Sequence, residues 1–168
     1  MSKARVLSWF AVAIAAAGCA DRGYPGDGPS GPDANLLGGG GLVSCTALDA
    51  GEATATIGPE GGVIQVGSHV LAVPAGALAA PVTITARLRT EPVNRVEFQP
   101  AGLTFQAAAT LSMDYANCGG MALLVLKRIA YVDDASLDIL GLLVSLDDLL
   151  QHRVSARLSH FSSYAIAW

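Results

Sequence analysis

The stretch VTITARLR, residues 82–89, decides how the rest of this chain is read. Val82, Ile84, Ala86 and Leu88 share one parity, and Thr83, Thr85, Arg87 and Arg89 share the other. Successive side chains of an extended strand point to opposite faces, so strict alternation predicts a half-buried antiparallel strand with its apolar side on a core. The same signals recur on both sides of it. Upstream, ATIGPEGGVIQV (55–66) reads as strand, turn, strand, bending at Pro59, Gly61 and Gly62, and HVLAVPAGAL (69–78) as a strand stopped at Pro74.

Downstream, VEFQP (96–100), ATLSMDY (109–115), LLVLKRIAYV (123–132) and RVSARLSHFSSYAIAW (153–168) continue the series of short apolar and β-branched runs. Their spacing suits a sandwich. SLDILGLLVSLDDLLQ (136–151) also fits a helical leucine spacing, but Gly141 and the Asp147-Asp148 pair favour a strand followed by a turn or short helical turn. In the last run the inward set Val154, Ala156, Leu158 gives way to Tyr164, Ile166, Trp168, with Phe161 out of phase. A bulge at Ser162 and Ser163 would reset the pleat. The fold class expected is all-β, an antiparallel two-sheet β-sandwich over residues 45–168.

Several of these runs carry a family resemblance. GPEGGVIQV (58–66), LAVPAGAL (71–78), PAGLTFQAAATLSMDY (100–115) and SHFSSYAIA (159–167) resemble the domain shared by zonula occludens scaffolds, netrin receptors and ankyrins, the ZU-five domain, and especially its exported bacterial relatives. The most telling matches are Val73-Pro74-Ala75-Gly76-Ala77-Leu78 and Gly102-Leu103-Thr104-Phe105 with the strand from Thr110 to Tyr115. Coverage runs from about Thr54 to Asn117 plus the closing residues, and residues 119–151 match less clearly. The matching positions are turn and core residues, so the resemblance implies a sandwich and says little about a ligand. The animal relatives use the domain for protein contacts within larger arrays, but this sequence shows neither their repeats nor their death domain, so those partners do not transfer.

The N-terminus supplies an address. Lys3 and Arg5, an apolar stretch from Val6 to Ala17, and small residues before Cys19 form the three zones of a secretory signal over residues 1–18. The apolar run falls short of the roughly 20 residues that span a bilayer. Ala16-Ala17-Gly18-Cys19 resembles the lipobox of bacterial lipoproteins, with Ala where Leu is common at the first position. That resemblance implies cleavage before Cys19 and a diacylglycerol on its sulfur, the thiolate being the nucleophile that alkylation needs. An ordinary signal with a chance cysteine is the alternative, and either predicts export. Two or more acyl chains hold a protein firmly to a membrane. Ala20 followed by Asp21 leans towards the outer membrane of a bacterial cell envelope. Residues 19–44, rich in Gly, Pro and Asp, predict a flexible tether, because they offer little apolar surface to offset the entropy of ordering. The glycines at 38–41 lack the Gly-Lys-Ser/Thr of a phosphate loop.

The whole chain carries a net charge of −4, and losing Lys3 and Arg5 with the signal makes the remainder more acidic. No basic stripe exists to follow a phosphate backbone, so no nucleic-acid partner is expected. With Cys19 acylated, Cys45 and Cys118 are an even pair in an oxidising compartment, which predicts a disulfide. Closing a loop of that length, 73 residues, would stabilise by roughly 4 kcal/mol in the chain-entropy model.

Residues with catalytic potential do not assemble into a known pattern. HExxH and GxSxG are absent, and the 3 histidines are scattered. Ser159 and His160 are neighbours on a strand and so face opposite sides. Asp133-Asp134 and Asp147-Asp148 lack the alternating pattern of a calcium loop and read as solvated turns. Tyr24 and Trp168 read as isolated packing or surface aromatics. No cofactor, metal or catalytic residue is expected. The expected function is a lipid-anchored envelope module contacting an unidentified protein or glycan, with a structural subunit of a surface assembly, or a small envelope hydrolase, as alternatives.

Overall fold

The computed structural model describes residues 40–119 and 125–168. The signal segment 1–18, Cys19, Tyr24 and the tether up to residue 39 lie outside the described residues. Among those described there is no helix, and eleven strands form two antiparallel sheets. They are β1 (Gly51–Ile57), β2 (Gly62–Val66), β3 (His69–Val73), β4 (Val82–Leu88), β5 (Arg95–Gln99), β6 (Thr104–Asp114), β7 (Arg128–Val132), β8 (Ile139–Leu142), β9 (Ser145–Asp148), β10 (Arg153–His160) and β11 (Ser163–Ala167). One sheet has the order β1-β4-β5-β11-β7-β8, the other β2-β3-β6-β10-β9.

The alternation in β4 does what its sequence predicts. Ile84, Ala86 and Leu88 are buried in the core between the sheets, while Thr83 faces solvent and Thr85 and Arg87 are half-buried. Its partner β1 completes the outer face in register. The Thr54 and Thr85 hydroxyls lie 3.2 Å apart, those of Thr56 and Thr83 3.1 Å apart, and Arg87 pairs with Glu52 at 2.6 Å. Such cross-strand pairs each add a few tenths to about 1 kcal/mol.

The strand, turn, strand of residues 55–66 is present, but it is not a hairpin. β1 pairs β4 and β2 pairs β3, so the chain changes sheets at Gly58–Gly61. Gly61 has φ 79°, and a Cβ there would run into the backbone of Val73, Pro74 and Ala75. Only glycine tolerates both conditions. The Gly76 amide donates to the Pro59 carbonyl at 2.8 Å and ties this turn to the one after β3.

Residues 136–151 take the favoured strand and turn, with the strand divided in two. They form two short strands, β8 against β7 in one sheet and β9 against β10 in the other, with turn residues at 149–152. Gly141 is inside β8 rather than at a turn, because the Tyr131 ring lies where its side chain would go. The C-terminal run is corrected. Ser162 and Ser163 mark a change of sheet, from β10 to β11, rather than a bulge within one strand; the register irregularity lies between Leu158 and His160. Phe161 stands at that crossing, stacked on Phe98 with ring centres 5.0 Å apart and edge-on to Phe105 at 5.0 Å. Its departure from the alternation is thus what places it between the sheets.

Strand β11 is central and buried throughout. Tyr164 and Ile166 face the main core, whereas Ala165 and Ala167 join Ala130 and Val132 in a smaller cluster covered by Leu42, Leu137 and Ile139. The inward set ends at Ile166, since Trp168 is 37% exposed. The folded body also takes in residues on the tether side of position 45. Leu42 bridges Ala167, and Val43 is fully buried with its amide on the Ile166 carbonyl at 2.8 Å.

Candidate functional site

The residues with chemical potential are spread over the sandwich rather than gathered in one place. Ser159 is exposed on β10, and His160 ends that strand with its ring edge-on to Tyr131 at 5.8 Å. The His160 carbonyl accepts the buried Tyr164 hydroxyl at 2.6 Å. His152 follows the turn after β9 at φ 50°, with its ring 5.7 Å from that of Tyr115. His69 is buried on β3, and its Nδ1 accepts the Asp114 amide at 3.0 Å. Burial lowers its pKa to about 4, against the opposing pull of the Asp114 carboxylate and with help from Arg153. It is a neutral acceptor at physiological pH. No group of three or more His, Cys, Asp or Glu side chains suited to a metal ion occurs among the described residues.

The two acidic pairs separate in role. Asp133 is a turn residue as expected: its Oδ1 accepts the amides of Ala135 and Ser136, each at 2.9 Å, and these bonds hold its pKa below the usual carboxylate range. Asp134 accepts the Ser163 hydroxyl. Asp147 is not a solvated turn residue. It sits half-buried in β9, accepting the Tyr115 hydroxyl at 2.6 Å and the Lys127 amide at 2.7 Å. Asp148 caps the turn that follows, accepting the Leu150 and Gln151 amides.

Lys127, absent from the sequence reading, is 1% exposed, with Nζ 5.1 Å from the centre of the Tyr115 ring and donating to the Val125 carbonyl. Burial lowers its pKa, and Asp147 opposes the shift. Burial first, then the bond to Asp147, raises the Tyr115 pKa, so its hydroxyl is a fixed donor rather than a nucleophile. This Tyr115–Asp147–Lys127 group holds β9 and the start of β7 to the end of β6.

Cys45 and Cys118 form a disulfide, as the cysteine arithmetic predicts. An amide pair surrounds it: Asn94 Nδ2 donates to Asn117 Oδ1 at 2.7 Å and Asn117 Nδ2 to Asn94 Oδ1 at 2.9 Å. Asn117 also reaches the Thr46 carbonyl at 2.6 Å, and the Cys45 amide donates to Pro92 at 2.9 Å. The cross-link therefore clamps the beginning of the folded body to the end of β6.

Concave sites are shallow. A depression of about 380 Å³ beside β2 and β3 is lined by Val63, Val73, Pro74, Thr110 and Arg157, with no His or carboxylate in its wall. The most unusual surface is the β8–β9 edge. Along residues 139–148 alternate positions are exposed, and they are Leu140 at 55%, Leu142 at 40%, Val144 at 95% and Leu146 at 80%. Leu149 and Leu150, in the turn that follows, are exposed too. The residues between, Gly141, Leu143, Ser145 and Asp147, are half-buried. The leucines that made a helix plausible are here strand residues with their apolar side turned to water.

The fold and this surface define a disulfide-clamped antiparallel β-sandwich with one apolar lateral edge. No protein-family model and no curated protein sequence matches the chain.

Proposed function

We propose that this protein is a lipid-anchored interaction module of the bacterial cell envelope, held to the membrane through Cys19 and carrying its sandwich on the tether that ends before Leu42. The single observation that carries a binding role is the exposed apolar edge at β8–β9. Contiguous apolar surface on a soluble domain marks a place where another surface docks, and each aliphatic side chain fully buried there would contribute about 1.5–3 kcal/mol. Of the partner classes open from sequence, the aliphatic character of the edge favours protein over a hydroxyl-rich glycan.

Two measurements test this. The intact mass of protein extracted from its own membranes and alkylated without reduction should equal the chain from Cys19 plus lipid, with no alkylated thiol; an unlipidated mass defeats the anchor. A photo-crosslinking residue at position 144 in living cells should capture a protein that the same residue at position 54 does not. Equal capture at both positions, or none, defeats the binding role, and one stoichiometric neighbour at both would instead indicate a structural subunit.

A further inference from the structure

Resting on the lipid anchor proposed above, we infer that the end of the sandwich at which the tether arrives lies in the surface of the bilayer that holds Cys19, with Leu126, Leu149, Leu150 and Trp168 inserted among the lipids. The strand order brings these residues to one end. β11 ends there and β7 begins, with Ala167 opposite Arg128, and the Gly41 carbonyl accepts the Trp168 amide at 3.1 Å. The chain therefore enters the folded body beside its own last residue. β6 and β9 end and β10 begins at the same end, with Arg153 opposite both Asp114 and Asp148. The Lys127 amide on Asp147 and the Cys45–Cys118 disulfide tie the two sheets together there. Leu126 comes just before β7, Leu149 and Leu150 directly follow β9, and Trp168 directly follows β11.

The two ends differ in what they show to water. At the tether end Leu126 is 67%, Leu149 46%, Leu150 95% and Trp168 37% exposed. At the opposite end the connections 58–61, 74–81, 100–103, 133–138 and 161–162 expose Pro, Ala, Gly, Glu, Asp and Ser, and no Leu, Ile, Val, Met, Phe or Trp. Where the chain goes next names what covers the apolar end. Residues 19–39 connect the acylated cysteine to it, and as a coil they would span about 25 Å. That length keeps this end near the bilayer at a high effective concentration, so a contact too weak to form in free solution suffices. Leucines at a turn supply apolar area to bury in the interface, and an indole with its polar N–H favours the headgroup boundary. Arg128 at the start of β7 and Asp148 at the end of β9 are both exposed and opposite in sign, so insertion rests on apolar area and needs no anionic lipid. The β8–β9 side, with Val144, stays open to a protein.

Trp168 is its own reporter, because the other tryptophan, Trp9, leaves with residues 1–18. The lipidated protein, extracted from its membranes, is added to preformed phosphatidylcholine vesicles and floated. Trp168 emission should shift to the blue, lose most of its quenching by iodide, and be quenched by phosphatidylcholine carrying a nitroxide near the top of its acyl chain. Salt and added anionic lipid should change none of this. Leu126→Gln with Leu150→Gln, both at exposed positions and melting like the parent, should restore iodide quenching and remove nitroxide quenching. With the reporter moved to the opposite end, as Trp168→Phe with Ala79→Trp, iodide should quench and the nitroxide lipid should not. In living cells a photo-crosslinking residue at position 150 should capture phospholipid. Floated protein whose Trp168 is open to iodide, equal lipid quenching at the two ends, or capture of a protein at position 150 in place of lipid overturns the inference and leaves the anchor standing. Protein that does not float removes the anchor itself, and this inference with it.

Discussion

The two lateral edges of this sandwich are built alike and finished differently. At each the chain leaves the six-stranded sheet and enters the five-stranded one, from β1 to β2 on one side and from β8 to β9 on the other. On the first side the exposed positions are Glu52, Thr54, Thr56, Val63 and Gln65, polar but for one. On the second they are Leu140, Leu142, Val144, Leu146 and Asp148, apolar but for one. Sheet edges are commonly protected from unwanted pairing by polar or charged side chains. That protection is present at β1–β2 and missing at β8–β9, under the same core and the same strand lengths to within a few residues. The difference is therefore not a requirement of the fold, since the first edge is finished differently on the same core.

The strongest way to break the comparison is to damage what the edges share. Phe161→Ala removes the ring on which Phe98 and Phe105 pack and should cost about 3–5 kcal/mol in urea unfolding. Hydrogen exchange should quicken at both edges together. If only one edge loosens, the edges do not rest on a common core.

A smaller effect separates them by pH. The His69 pKa is about 4 when folded against 6.5 for the free side chain, so the unfolded chain binds the extra proton first as pH falls. The stability from neutral His69 is fully present above pH 6.5, declines through the interval, and is gone below about 4, a loss of the order of 3 kcal/mol. Protonation also takes Nδ1 from the amide of Asp114, the last residue of β6. His69→Gln, which keeps an acceptor, should flatten the pH dependence between those limits, and β2–β3 amides should lose protection in acid before β8 and β9 amides do.

Smaller again is Asp147→Ala. Tyr115 and Lys127 each lose a bond to the carboxylate, at about 2 kcal/mol in thermal or urea unfolding. Exchange should quicken at β9 while β1 and β2 are unaffected.

The smallest stability effects come from exchanging the finish of the edges. Val144→Lys and Thr54→Val are both surface changes and should each shift unfolding by less than about 0.5 kcal/mol. Their effect on a dye that binds apolar surface should be opposite, with Val144→Lys lowering its fluorescence and Thr54→Val raising it. The same sign for both would mean that the apolar edge is not the dye-accessible surface.

The sequence by itself determined the strand character and inner face of β4, the approximate strands β1, β2, β3, β5, β6, β10 and β11, and the pairing of Cys45 with Cys118. These were legible because alternation reports burial directly, and because setting Cys19 aside for the expected lipid leaves Cys45 and Cys118 one partner each. Which strands pair was decided only in three dimensions. Alternation tells which way a side chain points and nothing of which sheet it belongs to, so the changes of sheet at Gly58–Gly61 and Ser162–Ser163 read only as a turn between strands and a bulge. Residues 139–148 were ambiguous for a related reason. Their exposed side is apolar, so the polar and apolar contrast that separates a strand from a helix is lost at the place where the surface is most unusual. Lys127 and Asp147 were hidden because a charged residue reads as solvated until the Tyr115 ring and hydroxyl are seen beside it. Local pattern carries the solvent's view of each residue; partnership between distant segments belongs to the packed structure alone.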